Sequence, residues 1–216
     1  MLYLARKLID SERAKDLARR LIMSPGWSDG ILSAPGTVKR NLQLKTGEIK
    51  TKFSEEIIEI IKNDDLISNT FFPSKIFNIL FTRTGSGMYY GPHTDLPYLP
   101  TGRRDLSFTI FLNQPDEYQG GELILYMSPD KKSIKLNPGE MIIYPTNYLH
   151  EVKEVTHGER RVCVGWIESQ IPRDDDRNSL ALLNAGISAI EQQLGKTPAT
   201  QNLRVGYQNI YKRFLN

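Results

Sequence analysis

The sequence predicts a mainly β domain with helices on both flanks, and three observations point there. Between Lys75 and Ile167 short apolar runs alternate with turns rich in Gly, Pro and Asn, the pattern of a sandwich or barrel. Before and after that region the apolar residues fall at helical spacing instead. The chain of 216 residues and 24.7 kDa is long enough for one compact domain with a real core. The expected organisation is a helical amino-terminal flank over 1–74, a β core over 75–170 and a helical extension over 171–216.

Taken in order, Ser11 to Met23 reads as an amphipathic helix, with Ser11 as its cap and Pro25-Gly26 beyond its end. Phe53 to Ile61 reads as a second helix, led by Ser54 and ending near Asn63. The glycine-rich run from Arg83 to Pro92 suits a tight loop that delivers the chain to a strand at His93. Leu96 to Arg104 carries Pro97, Tyr98, Pro100 and Gly102, too many turn formers for core. It is expected to be a surface connection, either a passive link or a flap whose Tyr98 joins Tyr90 in offering aromatic surface to a ligand. From Asp105 to Asn113 one face holds Leu106, Phe108, Ile110 and Leu112, and the other Ser107, Thr109, Phe111 and Asn113. If the apolar face packs on helices, the second face lines a barrel.

The turn Leu136 to Gly139 then feeds an apolar strand to Pro145, and His150 follows. Thr156-His157-Gly158-Glu159 reads as a hairpin turn, with His157 exposed. On the last strand Arg160, Val162, Val164 and Trp166 share one face, and Arg161, Cys163, Gly165 and Ile167 the other. Arg160 is thereby expected to point inward and Arg161 outward. Asp174 to Leu194 reads as a helix with Leu180, Leu183, Ile187 and Ile190 on one side, packing on the barrel or on a second copy in a homodimer. Its opening Asp174-Asp175-Asp176 suits the positive end of a helix dipole better than a metal site.

The most informative constellation is His93-Thr94-Asp95, then His150, then Arg160 ten residues later. Alternate residues of a strand share a face, so His93 and Asp95 can reach one metal from a single extended segment, and His150 closes the site. Two imidazoles and a carboxylate on one face of an octahedron leave three positions open, an arrangement suited to non-haem Fe(II). A structural zinc site would want a fourth ligand and usually cysteine, and the chain has one cysteine. An HxD triplet alone says little; the turn-strand contexts around it carry the weight. A buried arginine also needs an anion, because an unpaired internal charge is costly. Arg160 therefore meets either an acid of the chain, such as Glu122, or a ligand carboxylate, which its fork matches bidentately.

Over nearly its whole length the chain resembles the Fe(II)/2-oxoglutarate-dependent dioxygenases, in the prolyl 4-hydroxylase-like branch with its bacterial PKHD-type hydroxylases. The resemblance rests on Trp27-Ser28-Asp29-Gly30, Val38-Lys39 with Asn41 and Gln43, and Phe77-Asn78, followed by Gly87 and Tyr90-x-x-His93-x-Asp95. It continues through Asp105-Leu106-Ser107, Gly120-Gly121-Glu122-Leu123, Pro138-Gly139-Glu140, His150 to Arg160, Trp166-Ile167-Glu168-Ser169 and Arg173-Asp174-Asp175. Each piece is weak; their order and spacing together are strong.

The resemblance implies a double-stranded β-helix, the jelly-roll or cupin-like barrel, with helices on one sheet. It implies that His93, Asp95 and His150 hold Fe(II), that Arg160 binds the distal carboxylate of 2-oxoglutarate, and that Tyr90 lies beside the site. O2 is the other co-substrate and ascorbate a candidate reductant. A C–H bond is hydroxylated as 2-oxoglutarate becomes succinate and CO2. The implied substrate is a prolyl residue in a peptide or protein, with a free amino acid or small metabolite as the alternative. A jelly-roll binding module without catalysis is the reading from another class. Two positions depart from the pattern: Arg83 and Phe111 stand where some relatives place tyrosines, and Thr109 is a candidate for the missing hydroxyl.

Composition sets bounds. Cys163 is the single cysteine, which excludes intrachain disulfides and fits a reducing compartment. Met1 to Asp10 is broken by Arg6 and Lys7, unlike a signal peptide, and no run is long enough for a membrane span. A cytoplasmic protein is expected. Net charge +3, without a basic stretch interleaved with aromatics, argues against a nucleic-acid partner.

Overall fold

The computed structural model describes residues 3–33 and 39–215, so Met1, Leu2 and Val38 lie outside the described residues. The chain runs through β1 (Leu4–Lys7), α1 (Ser11–Met23), β2 (Trp27–Asp29), β3 (Leu42–Leu44), α2 (Glu48–Lys62) and α3 (Asp65–Phe71). Then come β4 (Pro73–Gly85), β5 (Tyr90–His93), β6 (Tyr98–Leu99), β7 (Gly102–Arg103), β8 (Leu106–Phe111), β9 (Tyr118–Gly120) and β10 (Leu123–Met127). β11 (Asp130–Ile134), β12 (Glu140–Pro145), β13 (Leu149–Val152), β14 (Val155–Ser169), α4 (Asp174–Leu194) and α5 (Pro198–Tyr211) complete it.

Two antiparallel sheets form the barrel. The larger has the order β1-β12-β8-β14-β4-β3-β2, with β9 added on β14; the smaller has the order β11-β10-β13-β5. Strand parity sorts the side chains between two cores. Phe81, Phe108, Ile110, Met141, Ile143, Cys163 and Ile167 pack outward against Ala14, Leu17 and Leu21 of α1 and Phe53, Ile57 and Ile61 of α2. Phe111, Ile142, Tyr144 and Val162 point inward and meet Leu123 and Leu125 of the smaller sheet. The two faces of β8 thus divide as the alternation predicts, and Ser107 and Thr109 are buried because they line a barrel rather than face water. Behind the barrel, Leu180 and Ile187 of α4 and Tyr207 of α5 cover Phe72 and Ile171.

Several expectations change. The stretch expected to be a helical flank also supplies β1, β2 and β3 to the large sheet. The cap of α1 is Asp10, whose carboxylate accepts from the Glu12 N–H; Ser11 is already helical. α2 begins at Glu48, and Ser54 lies inside it, donating to the Lys50 carbonyl at 2.7 Å. An internal serine can satisfy itself on the preceding turn, so its cap-like chemistry misplaced the start. The 156–159 hairpin turn is absent: β14 runs straight through it, bulged between Val155 and His157 and paired with β9. His157 is exposed, as expected. In α4, Leu183 is 47% exposed and Ile190 38%, so only Leu180 and Ile187 of the expected stripe are buried. The connection over 96–104 folds into the small hairpin β6–β7. Among the described residues no helix is long and apolar enough to cross a membrane.

Candidate metal centre and its cavity

β5 and β13 are neighbours in the smaller sheet, and their register places His150 directly opposite His93. Asp95 follows two residues later, just past the end of β5 rather than on it. One ligand atom from each of His93, Asp95 and His150 falls within 4.8 Å of the other two. Each ring is aimed by its own backbone: Nδ1–H of His93 donates to the Gly91 carbonyl at 2.8 Å and that of His150 to the Tyr148 carbonyl at 2.9 Å. That tautomer turns both Nε2 lone pairs inward, 3.9 Å and 4.0 Å from the Asp95 carboxylate. Burial, then the neighbouring His150, push the His93 pKa down to about 4, which keeps its imidazole neutral and able to ligate.

Asp95 is oriented from the opposite sheet. Its Oδ2 accepts the Ser107 hydroxyl at 2.8 Å and the Trp166 indole N–H at 2.9 Å. Oδ1 is the oxygen nearest His93, while His150 approaches Oδ2. In the sequence both donors stand on strand faces and within motifs without an assigned role; that role is set by pairing of β8 with β14, where Ser107 lies opposite Trp166. Two nitrogens and one oxygen, preset in tautomer and rotamer with the remaining directions open to a cavity, fit a non-haem iron.

That cavity has a volume of about 590 Å³ and runs between the sheets. Arg160 lies at its inner part, 3% exposed, its guanidinium 5.4 Å from the Phe111 ring centre. The expected internal partner Glu122 makes no ion pair with it, and no carboxylate lies within 4.0 Å of it among the described residues; its Nε is a sealed donor with no hydrogen-bond partner. Tyr118 is an electrostatic neighbour of the guanidinium. Arg161 points the other way and binds Glu159 at 2.8 Å, as parity predicts. Thr109 lines the cavity, opposite Val164 in the sheet. Arg83 does not: it turns to the outer face, binding Glu159 at 2.8 Å and lying over Trp27.

Tyr90 stacks on His93, ring centres 3.6 Å apart. Over its other surroundings lies Lys39, 7% exposed and 5.1 Å from the Tyr90 ring, with its pKa lowered to about 8 by burial. Arg104 covers the Trp166 ring at 3.8 Å. Leu96 and Leu99 of the connection line the cavity, whereas Tyr98 is 66% exposed and is not part of its wall. Arg104 and Tyr144 carry no local signal that would mark them in sequence, and Lys39 stands there only within a motif, since only the closure of the barrel brings them to the cavity. Asp174 instead pairs with Arg177, and Asp176 with Arg173, at the start of α4.

Comparison with known proteins agrees with this geometry. The 2OG-Fe(II) oxygenase superfamily matches over residues 79–168. A PKHD-type hydroxylase of Prochlorococcus marinus strain NATL2A is 39% identical over 218 residues, with 99% of each chain covered. Another, from strain MIT 9211, is 40% identical over 215 residues, with 97% of each covered. The chain is a PKHD-type hydroxylase of the 2OG-Fe(II) oxygenase superfamily. It is therefore an oxidoreductase that uses Fe(II) and 2-oxoglutarate, as the motifs implied. Its fold is shared with a Pseudomonas putida prolyl-4-hydroxylase (TM-score 0.57, 16% identity, 77% of this chain and 92% of that one). It is also shared with a Trichoplax adhaerens prolyl hydroxylase in complex with a hypoxia inducible factor peptide fragment (0.59, 16%, 82% and 86%). HygX of Streptomyces hygroscopicus, with nickel and 2-oxoglutarate bound, is a further match (0.55, 9%, 77% and 82%). The hydroxylase is thus a double-stranded β-helix with helices on its larger sheet.

Proposed function

We propose that this hydroxylase acts on a prolyl residue within a peptide or protein, as one domain over 1–216 in the cytoplasm. His93, Asp95 and His150 are its metal ligands and catalytic centre, and Arg160 is its co-substrate anchor. The carrying observation is the pairing, in one cavity, of the open triad with a buried guanidinium that no carboxylate of the described chain neutralises. A dicarboxylate with one end at the triad and the other at Arg160 supplies that missing anion. Fe(II) with 2-oxoglutarate and O2 supplies the oxidising chemistry, in which C–H becomes C–OH and 2-oxoglutarate becomes succinate and CO2.

The chain's own part is positioning. Ser107 and Trp166 hold the Asp95 carboxylate, the Gly91 and Tyr148 carbonyls hold the imidazoles, and Arg160 fixes the co-substrate in one pose. Tyr90, Trp166, Leu96 and Leu99 leave apolar surface at the cavity suited to a pyrrolidine ring. The prolyl assignment is supported by the fold shared with two prolyl hydroxylases, one of them holding a peptide. The buried free thiol of Cys163 suits a reducing compartment.

The test compares wild type with His93→Ala, Asp95→Ala and His150→Ala on proline-containing peptides, following succinate formation and the mass gain of one oxygen atom. Coupled turnover in wild type and none in the variants, with the fold retained, is expected. Wild-type turnover stimulated by free amino acids but by no peptide overturns the peptide assignment. Absence of a visible absorption band on anaerobic addition of Fe(II) and 2-oxoglutarate overturns the assigned site.

A further inference from the structure

The Arg160 guanidinium does not face the cavity alone. Along β12, Met141 and Ile143 pack toward the helices while Ile142 and Tyr144 point into the barrel. Tyr144 sits opposite Ser107 in the sheet, and its ring meets His150 edge-on at 5.4 Å between centres. The residue is 3% exposed, yet it belongs to the cavity wall. Its hydroxyl makes no hydrogen bond among the described residues, and it is not one of the sealed orphan atoms, so it opens on the cavity. A phenol is a neutral O–H donor at ordinary pH, and this one lines the same cavity as the triad and the arginine.

A carboxylate offers about four acceptor positions, of which a guanidinium fork fills two. With no polar partner of its own, a buried donor such as the Tyr144 hydroxyl is unsatisfied until a ligand arrives. We propose that Tyr144 donates a hydrogen bond to the distal carboxylate of 2-oxoglutarate, completing the anchor that Arg160 begins and that Phe111, lacking a hydroxyl, does not provide. The inference rests on Arg160 as the anchor. Thr109, the hydroxyl marked in the sequence, lies opposite Val164 and serves as the comparison residue.

Anaerobic Fe(II) enzyme is titrated with 2-oxoglutarate and with 2-oxobutyrate, which has the same chelating end and no distal carboxylate, by following visible absorption. Tyr144→Phe is expected to weaken 2-oxoglutarate about tenfold or more and to change 2-oxobutyrate by less than about twofold, since a bond to a charged group is lost with one ligand only. Equal losses with both acids place the hydroxyl at the metal end and overturn the proposal; so does no loss, or a selective loss in Thr109→Val instead. Arg160→Met is run in parallel: if it shows no preference between the acids, the anchor itself fails, whereas a selective Arg160→Met beside an indifferent Tyr144→Phe sinks only the tyrosine. Should Tyr144→Phe not fold, 3-fluorotyrosine at position 144 replaces it. Its fluorine resonance is expected to move with 2-oxoglutarate and not with 2-oxobutyrate, and equal shifts overturn the proposal.

Discussion

Removing the hydroxyl of Ser107 should loosen iron without disturbing the barrel. Ser107 and Trp166 donate to the same oxygen of Asp95, at 2.8 Å and 2.9 Å, and so fix the rotation of the carboxylate beside the histidines. A hydrogen bond to a charged group contributes about 1.5–3 kcal/mol. Loss of an outer partner of a metal ligand typically costs about 10–100-fold in affinity, or about 1.4–2.8 kcal/mol, so the two scales agree. Ser107→Ala should therefore weaken Fe(II) binding about tenfold, and Trp166→Phe by a similar factor. Because either donor alone still fixes the carboxylate, the double variant should lose more than the product of the single losses. Ser107→Ala is the cleaner probe, since Trp166 also carries the Arg104 guanidinium at 3.8 Å. Ser107 touches Thr146 at 3.1 Å as well, so thermal unfolding is measured beside the metal titration. Wild-type metal affinity in Ser107→Ala together with a lowered Tm would show that the hydroxyl supports packing and not the metal ligand.

Other perturbations follow from the same structure. Arg160→Ala should raise the 2-oxoglutarate requirement by about thirtyfold or more, since it deletes one partner of a buried charge pair, while Arg161→Ala should leave it nearly unchanged; steady-state kinetics that reverse the order would show the β14 faces misassigned. Glu159 bridges Arg83 and Arg161, and although burial pushes its carboxyl up, these guanidinium groups hold it below the ordinary range. Its contribution is present above the unfolded-state pKa and lost as pH falls through the lower folded value. Denaturant melts should thus find Glu159→Gln less stable than wild type by about 1–2 kcal/mol at neutral pH, the gap closing in acid; a gap independent of pH contradicts the ion pairing. Gly139 has φ 83°, and a Cβ there would lie 2.1 Å from the Ile9 carbonyl oxygen. Gly139→Ala should cost about 2 kcal/mol or more, and an unchanged Tm would mean that the turn before β12 moves freely.

Local periodicity made much of this protein legible before its fold was known. The bounds of α1 and α4 follow from helical spacing, and strand parity alone separates Arg160 from Arg161 and Thr109 from Phe108, because a pleated strand has only two faces. The spacing of His93, Asp95 and His150 marked the triad that the fold brings together, since two of the three lie on or beside a single extended segment. Where partners are distant in the chain, such reasoning ends. The 156–159 segment carries a turn-like glycine, yet pairing with β9 makes it strand. Strands β1, β2 and β3 hold 3 or 4 residues each and gain their structure from the sheet edges they join. Ser107 reaches Asp95 across 12 residues and Trp166 across 71, so what orients the metal ligand is a product of sheet register. The same holds for the buried guanidinium of Arg160 and the open hydroxyl of Tyr144: residue type makes each a donor, but only closure of the barrel excludes water and other partners and leaves a ligand to satisfy them.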